Sequence, residues 1–449
     1  MLERINTNIA GLDCGATHHY VAVPVDRAPT PVQSFPTVTS GLRRLVEWLV
    51  ACRITSVAME ATGVYWIPVY ELLEDAGLEV VLVNARHFKN VPGRKSDVAD
   101  CEWLRDLHSV GLLRGSFRPQ AAIVTLRAYM RHRQILTESA ATSVLRMQKA
   151  LLQMNLQLTQ VVSDVAGVTG LRIIRDIVTG QRDPAHLAAH RDRRCQASQA
   201  EIVEALTGSY RPEHVFVLQQ HLALYDACQT QLTACDAVIA RHLQTLTAAL
   251  PPVSTPLPAR RRGTETRRGQ GPGFDMRTPL HHLTGGVDLT QIDGIAPHTA
   301  LKLIAEIGLD VTRWPTAKHF TSWLTLAPRN RVSGGRLLSS QTQRSANRAA
   351  TALRMAAVAV GRSDTALGAF HRRLAARIGK PQALTATARK LAIVVYRVLK
   401  GEFAYCDPGP ETYDAQQRTR LLRRLRQHAT KLGCELVNRD TGEIIPAAT

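Results

Sequence analysis

Ordered cysteine spacing is missing from this sequence: its 8 cysteines include no CxxC pair. A zinc knuckle is therefore excluded, a disulfide framework has no basis, and reduced thiols in a cytoplasm are expected. Aromatic residues are only 5% of the chain, too few for base stacking to be a main mode of nucleic-acid contact. No uncharged apolar run approaches the ~18 residues that a bilayer span needs. The opening MLERINTNIAGLD lacks the basic-then-apolar layout of a secretion signal. No membrane partner is expected. A GxxxxGK[ST] loop is also missing, which agrees with a chemistry that needs no ATP.

What the chain has is apolar material and positive charge. Hydrophobic residues make up 45% of 449 residues, enough for real cores and for two or three domains. Lys and Arg number 56 against 37 Asp and Glu, a net charge of +19. An excess of this size points to a polyanionic partner contacted through its phosphates.

The N-terminal stretch reads as strands and helices in alternation. IAGLD is apolar and ends in Asp13; HYVAVPV alternates as a strand should, and a third short strand lies around Val32 to Phe35. Leu42, Leu45, Trp48 and Leu49 then repeat at helical spacing. SVAME is a fourth strand ending in Glu60, and a helix near Pro68, a stop at Gly77 and a strand from Leu78 to Val83 follow. Three antiparallel strands followed by alternating helices and strands predict an α/β, RNase H-like domain over residues 1–115. In such a sheet the first strand is central and the fourth lies beside it, making Asp13 and Glu60 neighbours at adjacent strand ends. The stretch GRKSDVADCEWLRDLHSVGLL, Gly93 to Leu113, reads as a helix capped by Ser96, with Asp97 and Asp100 on one face. Four carboxylates at one place repel strongly unless divalent cations neutralise them. An all-oxygen donor set favours Mg2+ or Mn2+ over zinc. From the residues alone, four unrelated surface acids remain the alternative.

Residues 116–250 read as a helical, coiled-coil region. One seam runs Val144, Met147, Leu151, Met154, Leu158, Val161, Val165. A second runs Leu218, Leu222, Tyr225, Leu232, Ile239, Leu243, Leu246, Leu250, with polar Gln229 and Asp236 at the remaining seam places. The two pair either with each other or with another subunit. The block between them, Gly167 to Pro212, is basic and short-helical and carries no motif that points to a chemistry. Residues 251–275 form a Pro/Gly linker with Arg260, Arg261, Arg262, Arg267 and Arg268, which either touch phosphates or stay solvated.

The C-terminal domain, 276–405, is expected to be mostly α-helical. LTQIDGIAPHTALKLIAEIG resembles a helix-hairpin-helix element turning at Gly294, with Ala296 where a second glycine is usual. Ser333 precedes Gly334 and Gly335 and is flanked by Arg329, Arg331, Arg336, Arg344 and Arg348. It is either an ordinary turn residue or a nucleophile whose target phosphate is clamped by guanidinium groups. A basic helical tail, 406–449, carries Arg418, Arg420, Arg423, Arg424 and Arg426.

The order GLD, AMEATGVYW, KSDVAD, LTQIDGIAPHTA, LAPRNRVSGG and ARKLAIVVY resembles the insertion-sequence 110 family of transposases, relatives of Piv-type DNA invertases. The resemblance covers the chain to about Leu113 and again from about Leu289 to Tyr405. It implies a RuvC-like domain whose DEDD tetrad, here Asp13, Glu60, Asp97 and Asp100, binds divalent metal. It implies that Ser333 attacks a DNA phosphodiester and becomes joined to the cut end. It further implies a bridge RNA pairing with donor and target DNA, and homodimers or homotetramers assembled through the middle helices. The expected function is a metal-dependent, serine-using DNA recombinase of a mobile element, working in the bacterial cytoplasm. The rivals are a Holliday-junction-resolvase-like nuclease using water and a non-catalytic nucleic-acid-binding regulator.

Overall fold

The computed structural model describes residues 5–61, 63–84, 96–259, 271–439 and 442. Gly93 to Lys95 and the linker arginines Arg260, Arg261, Arg262, Arg267 and Arg268 lie outside the described residues. The chain folds as two compact units, Met1–Arg118 and Pro119–Thr449.

Side-chain alternation along two strands organises the first unit. Its sheet contains β1 (Ile9–Cys14), β2 (His18–Ala22), β3 (Val32–Pro36), β4 (Ser56–Glu60) and β5 (Glu79–Val83), in the order β3-β2-β1-β4-β5. β2 runs antiparallel to β1 and β3, whereas β1, β4 and β5 are parallel. β1 is thus central, with β4 beside it. Successive residues of a strand point to opposite faces. Ala10, Leu12, Cys14, Val57 and Met59 share a core with Leu42, Leu45 and Leu49 of α1 (Thr39–Ala51) and Val69 and Leu73 of α2 (Trp66–Asp75). Full burial contributes roughly 1.5–3 kcal/mol for each such large side chain, so this face carries most of the unit's stability.

The opposite parity of the same strands, Gly11 and Asp13 on β1 and Ser56 and Glu60 on β4, faces α3 (Asp97–Ser109). Ser56 Oγ lies 2.8 Å from His108 Nε2 of that helix. A Cβ on Gly11 would fall 2.1 Å from the Cys101 carbonyl oxygen and 2.3 Å from the Arg105 amide nitrogen. Only a glycine admits the helix backbone this close to the strand. The buried apolar cluster on this side is small, centred on Val83 and Leu104. The close approach at Gly11 therefore matters more to the position of α3 than burial does.

In the second unit, α4 (Ala121–Gln153) packs along α9 (Pro212–Ala248). Polar Asp236 on α9 meets Arg133 of α4, Oδ1 to Nε at 2.5 Å, with side chains only 6% and 15% exposed for Arg133 and Asp236. The first seam does not continue as one helix. α4 stops at Gln153, and Asn155 takes a left-handed φ of 54°. Met154, Leu156, Leu158 and Val165 instead turn into a local core with α5 (Leu158–Val161), α6 (Val168–Thr179), α7 (Pro184–Ala188) and α8 (Gln199–Ala205). The apolar spacing persists through the break because these residues stay buried around one core, and periodicity records burial rather than helix continuity.

The remainder comprises α10 (Arg277–Leu283), a 3-10 turn (Leu289–Gln291), α11 (Pro297–Ile307), α12 (Ala317–Trp323), the hairpin β6 (Arg331–Ser333) and β7 (Arg336–Ser339), α13 (Arg348–Gly361), α14 (Ala366–Ile378), α15 (Lys380–Leu399) and α16 (Pro410–Lys431). Trp314, Phe320 and Tyr396 pack together, and the Tyr396 hydroxyl donates to the Trp314 carbonyl at 2.6 Å. The expected helix before Gly294 is only the 3-10 turn. Gly294 has φ 77°, and a Cβ there would lie 2.6 Å from the Ala356 carbonyl oxygen of α13. With Ile292, Asp293 and Ile295 buried around it, this turn is a packing contact with α13. α16 is longer than a short tail helix: its 22 residues bury none of their side chains fully. Among the described residues no helix is long and apolar enough to cross a membrane.

Candidate functional site

The parallel register of β1 and β4 pairs Leu12 with Met59. One residue further, Asp13 and Glu60 stand side by side at the strand ends, on the face covered by α3. Glu60 is 4% exposed and Asp13 is half-buried. Ser96 starts α3: its side chain accepts from the Ala99 amide at 3.2 Å, and its carbonyl accepts from the Asp100 amide at 2.9 Å. Asp97 and Asp100 therefore occupy the first turn, where a carboxylate is favoured by the helix dipole. Asp97 lies one turn before Cys101, and Asp100 one turn before Leu104, both buried side chains on the face of α3 that meets the sheet.

The charges of Asp100, Asp97 and Glu60 all bear on Asp13. The Asp13 carboxyl is raised from 3.8 to about 6, first by burial, then by the charges of Asp100, Asp97 and Glu60. Burial pushes the adjacent Cys14 thiol upward, helped by the charges of Asp13 and Glu60. Burial likewise pushes the Cys101 thiol to about 12. The four candidate residues themselves offer carboxylate oxygen alone. That chemistry fits a hard divalent cation of the magnesium class.

Among the described residues, the set of three whose ligand atoms all lie within 4.8 Å of one another is not in the tetrad. It is Asp176, His186 and His190, in the basic block between the two seams. Its readable signal was the spacing of the two histidines four apart in HLAAH.

Ser333 belongs to the second unit. It lies at the end of β6 beside a two-residue turn, where Gly334 and Gly335 have φ 53° and 74°. Two consecutive positive φ values are what a tight hairpin turn of the type I′ kind demands, and glycine adopts them without strain. Ser333 is thus on a β-hairpin, exposed, and directly opposite Arg336; Val332 pairs with Leu337 one step back, and Arg331 with Ser339 beyond a register shift. The Arg329 amide donates to the Gln341 carbonyl at 3.0 Å, prolonging the hairpin's base. Arg348 opens α13 behind its Asn347 cap. Arg329, Arg331, Arg336, Arg344 and Arg348 are all exposed.

Two family models match the chain. Residues 10–156 match a DEDD-type IS110 family described as Transposase, and this stretch contains Asp13, Glu60, Asp97 and Asp100. Residues 288–372 match the Transposase IS116/IS110/IS902 family, and this stretch contains Ser333 and the five arginines. The curated proteins compared with the chain yield no match. Together the two matched stretches span more than half of the sequence, and the chain belongs to the IS110 family of transposases.

Proposed function

We propose that this transposase cuts and rejoins DNA by a metal-assisted reaction in which Ser333 is the nucleophile. The observation that carries the metal half is the Asp13 carboxyl, raised to about 6 under the charges of Asp100, Asp97 and Glu60. The strand order β3-β2-β1-β4-β5 supports an RuvC-like identity for residues 1–115. Asp13, Glu60, Asp97 and Asp100 would hold the cation, Mg2+ or Mn2+. When bound, the ion supplies Lewis-acid stabilisation of charge on the scissile phosphate.

Ser333 Oγ attacks the phosphorus, so an Oγ–P bond forms and a P–O bond to the deoxyribose breaks. A base takes up the serine proton, and a proton returned to the departing sugar oxygen lets it leave as a hydroxyl. Arg331 and Arg336, on the same hairpin, pair with the phosphate oxygens, with Arg329, Arg344 and Arg348 extending the basic surface. The phosphoserine link keeps the energy of the broken bond, so rejoining requires no ATP. Donor and target DNA are selected by a bridge RNA, for which the charge of +19 and the exposed basic α16 supply phosphate-contacting surface. Residues 116–250 assemble homodimers or homotetramers, 251–275 act as a linker, 276–405 carry the serine and 406–449 add basic surface.

A recombination assay with donor and target plasmids and the adjacent noncoding RNA tests this. The wild type is expected to give a protein–DNA adduct that survives denaturation, Ser333→Ala none, and Asp13→Ala no cleavage. Normal recombination by Ser333→Ala overturns the serine assignment, and so does cleaved DNA without an adduct.

A further inference from the structure

The segment from α6 to α7 brings three ligand-type side chains to one point. The apolar face of α6, Ile173, Ile174 and Ile177, is buried against Leu187 and Ala188, leaving Asp176 on the flank. Gly180, at φ 107°, turns the chain back. Asp183 then caps α7, accepting from the Ala185 and His186 amides at 3.1 and 3.2 Å, with Pro184 at its first position. This anchors the start of α7 so that His186 and His190, four residues apart, both face Asp176. His186 Nε2 lies 3.2 Å and His190 Nε2 2.6 Å from the same Asp176 oxygen, Oδ2. The two rings meet edge to face, 5.9 Å between centroids at 87°. They converge on one place instead of stacking.

We propose that Asp176, His186 and His190 bind one zinc-class divalent cation, with a fourth position left to water. Two imidazole nitrogens and one carboxylate oxygen are the donors that such an ion takes. Around a tetrahedral zinc with bonds of ~2.0–2.1 Å, neighbouring ligand atoms are about 3.3 Å apart. The observed 3.2 and 2.6 Å edges need shifts of no more than several tenths of an ångström. Nearby guanidinium groups do not compete for Asp176: Arg182 donates to the Ile177 and Gln181 carbonyls, and Arg191 to those of Cys195 and Ala197. The ion ties α6 to α7 and so braces the short-helical block between α4 and α9. Nitrogen donors separate this site from the all-oxygen tetrad, because magnesium takes oxygen ligands and leaves imidazole pairs empty.

The test uses the full-length protein, stripped with EDTA and held in excess magnesium, titrated with Zn2+ and, as a spectroscopic probe, with Co2+. One ion per chain is expected, with cobalt ligand-field bands in the visible and a raised melting temperature on zinc addition. His186→Ala and His190→Gln are expected to weaken binding by more than the ~10–100-fold that losing a group hydrogen-bonded to a ligand costs. Asp13→Asn is expected to bind zinc as the wild type does. Far-UV circular dichroism reports whether each variant is folded; both histidines are partly exposed, so neither change opens a core. Wild-type protein that binds no zinc over magnesium overturns the proposal, as does a folded histidine variant that binds zinc as the wild type does. In either case the three side chains are a hydrogen-bonded tie without an ion.

Discussion

Asp13 illustrates how a reactive site works against the fold that carries it. Its carboxyl is raised from 3.8 to about 6, so the folded chain holds that proton more tightly than the unfolded chain does. For an acid shifted in this direction, stability is greatest below about pH 4, declines as the pH rises towards 6, and is level beyond. At about 1.36 kcal/mol per pKa unit, screening by solvent at this half-buried group leaves roughly 1–2 kcal/mol. In EDTA, Asp13→Asn is therefore expected to be more stable than the wild type by about that amount at pH 7. Thermal melts from about pH 4 to 8 should show the difference opening between about pH 4 and 6. Added Mg2+ should stabilise the wild type and not the variant, closing the difference. A variant no more stable than wild type at pH 7 would mean that neither burial nor the charges of Asp100, Asp97 and Glu60 raise the Asp13 carboxyl. The candidate residues were legible because each acid ends an apolar run or opens a helix. The repulsion among them is a product of the fold.

At the scale of elements, Gly11 decides where α3 lies. Ala at this position places a Cβ against backbone atoms that have no rotamer to change, so the helix itself must move. Gly11→Ala is expected to cost about 3 kcal/mol or more and to abolish cleavage even in protein that remains folded, because Asp97 and Asp100 ride on the displaced helix. Retained cleavage would show that the acids of α3 are dispensable. In the second unit, Arg133→Ala leaves Asp236 charged and mostly buried, at an expected cost of about 3 kcal/mol. Replacing both by leucine should recover most of that loss in chemical denaturation. The polar place in the second seam was visible from spacing, but its partner was not. Arg133 lies 103 residues away from Asp236, and no local pattern links them. The end of α4 was hidden for a related reason: its apolar rhythm continues into residues that bury in the same core without continuing the helix.

For the molecule as a whole, charge governs the encounter with nucleic acid. Binding driven by +19 should weaken steeply between about 50 and 200 mM salt, as counterions released from DNA are driven back. Anisotropy titrations with Arg331→Ala, Arg336→Ala and Arg348→Ala should each reduce the slope of log K against log salt by about 1. An unchanged slope in all three would place the phosphate contacts elsewhere.

By itself the sequence determined the class of partner, the strands and helices of the first unit with the acids near their ends, and the Gly-flanked serine of the second. These are local or compositional properties: net charge, period-2 and helical spacing, caps and turn glycines. Tertiary structure alone decided which acids share a field, which seam residue Arg133 meets, and that the Gly294 turn packs on α13. It also decided that Asp176, His186 and His190 converge. Those outcomes depend on strand order, on backbone approach at two glycines, and on contacts between residues far apart in the chain. No spacing rule reaches across such separations.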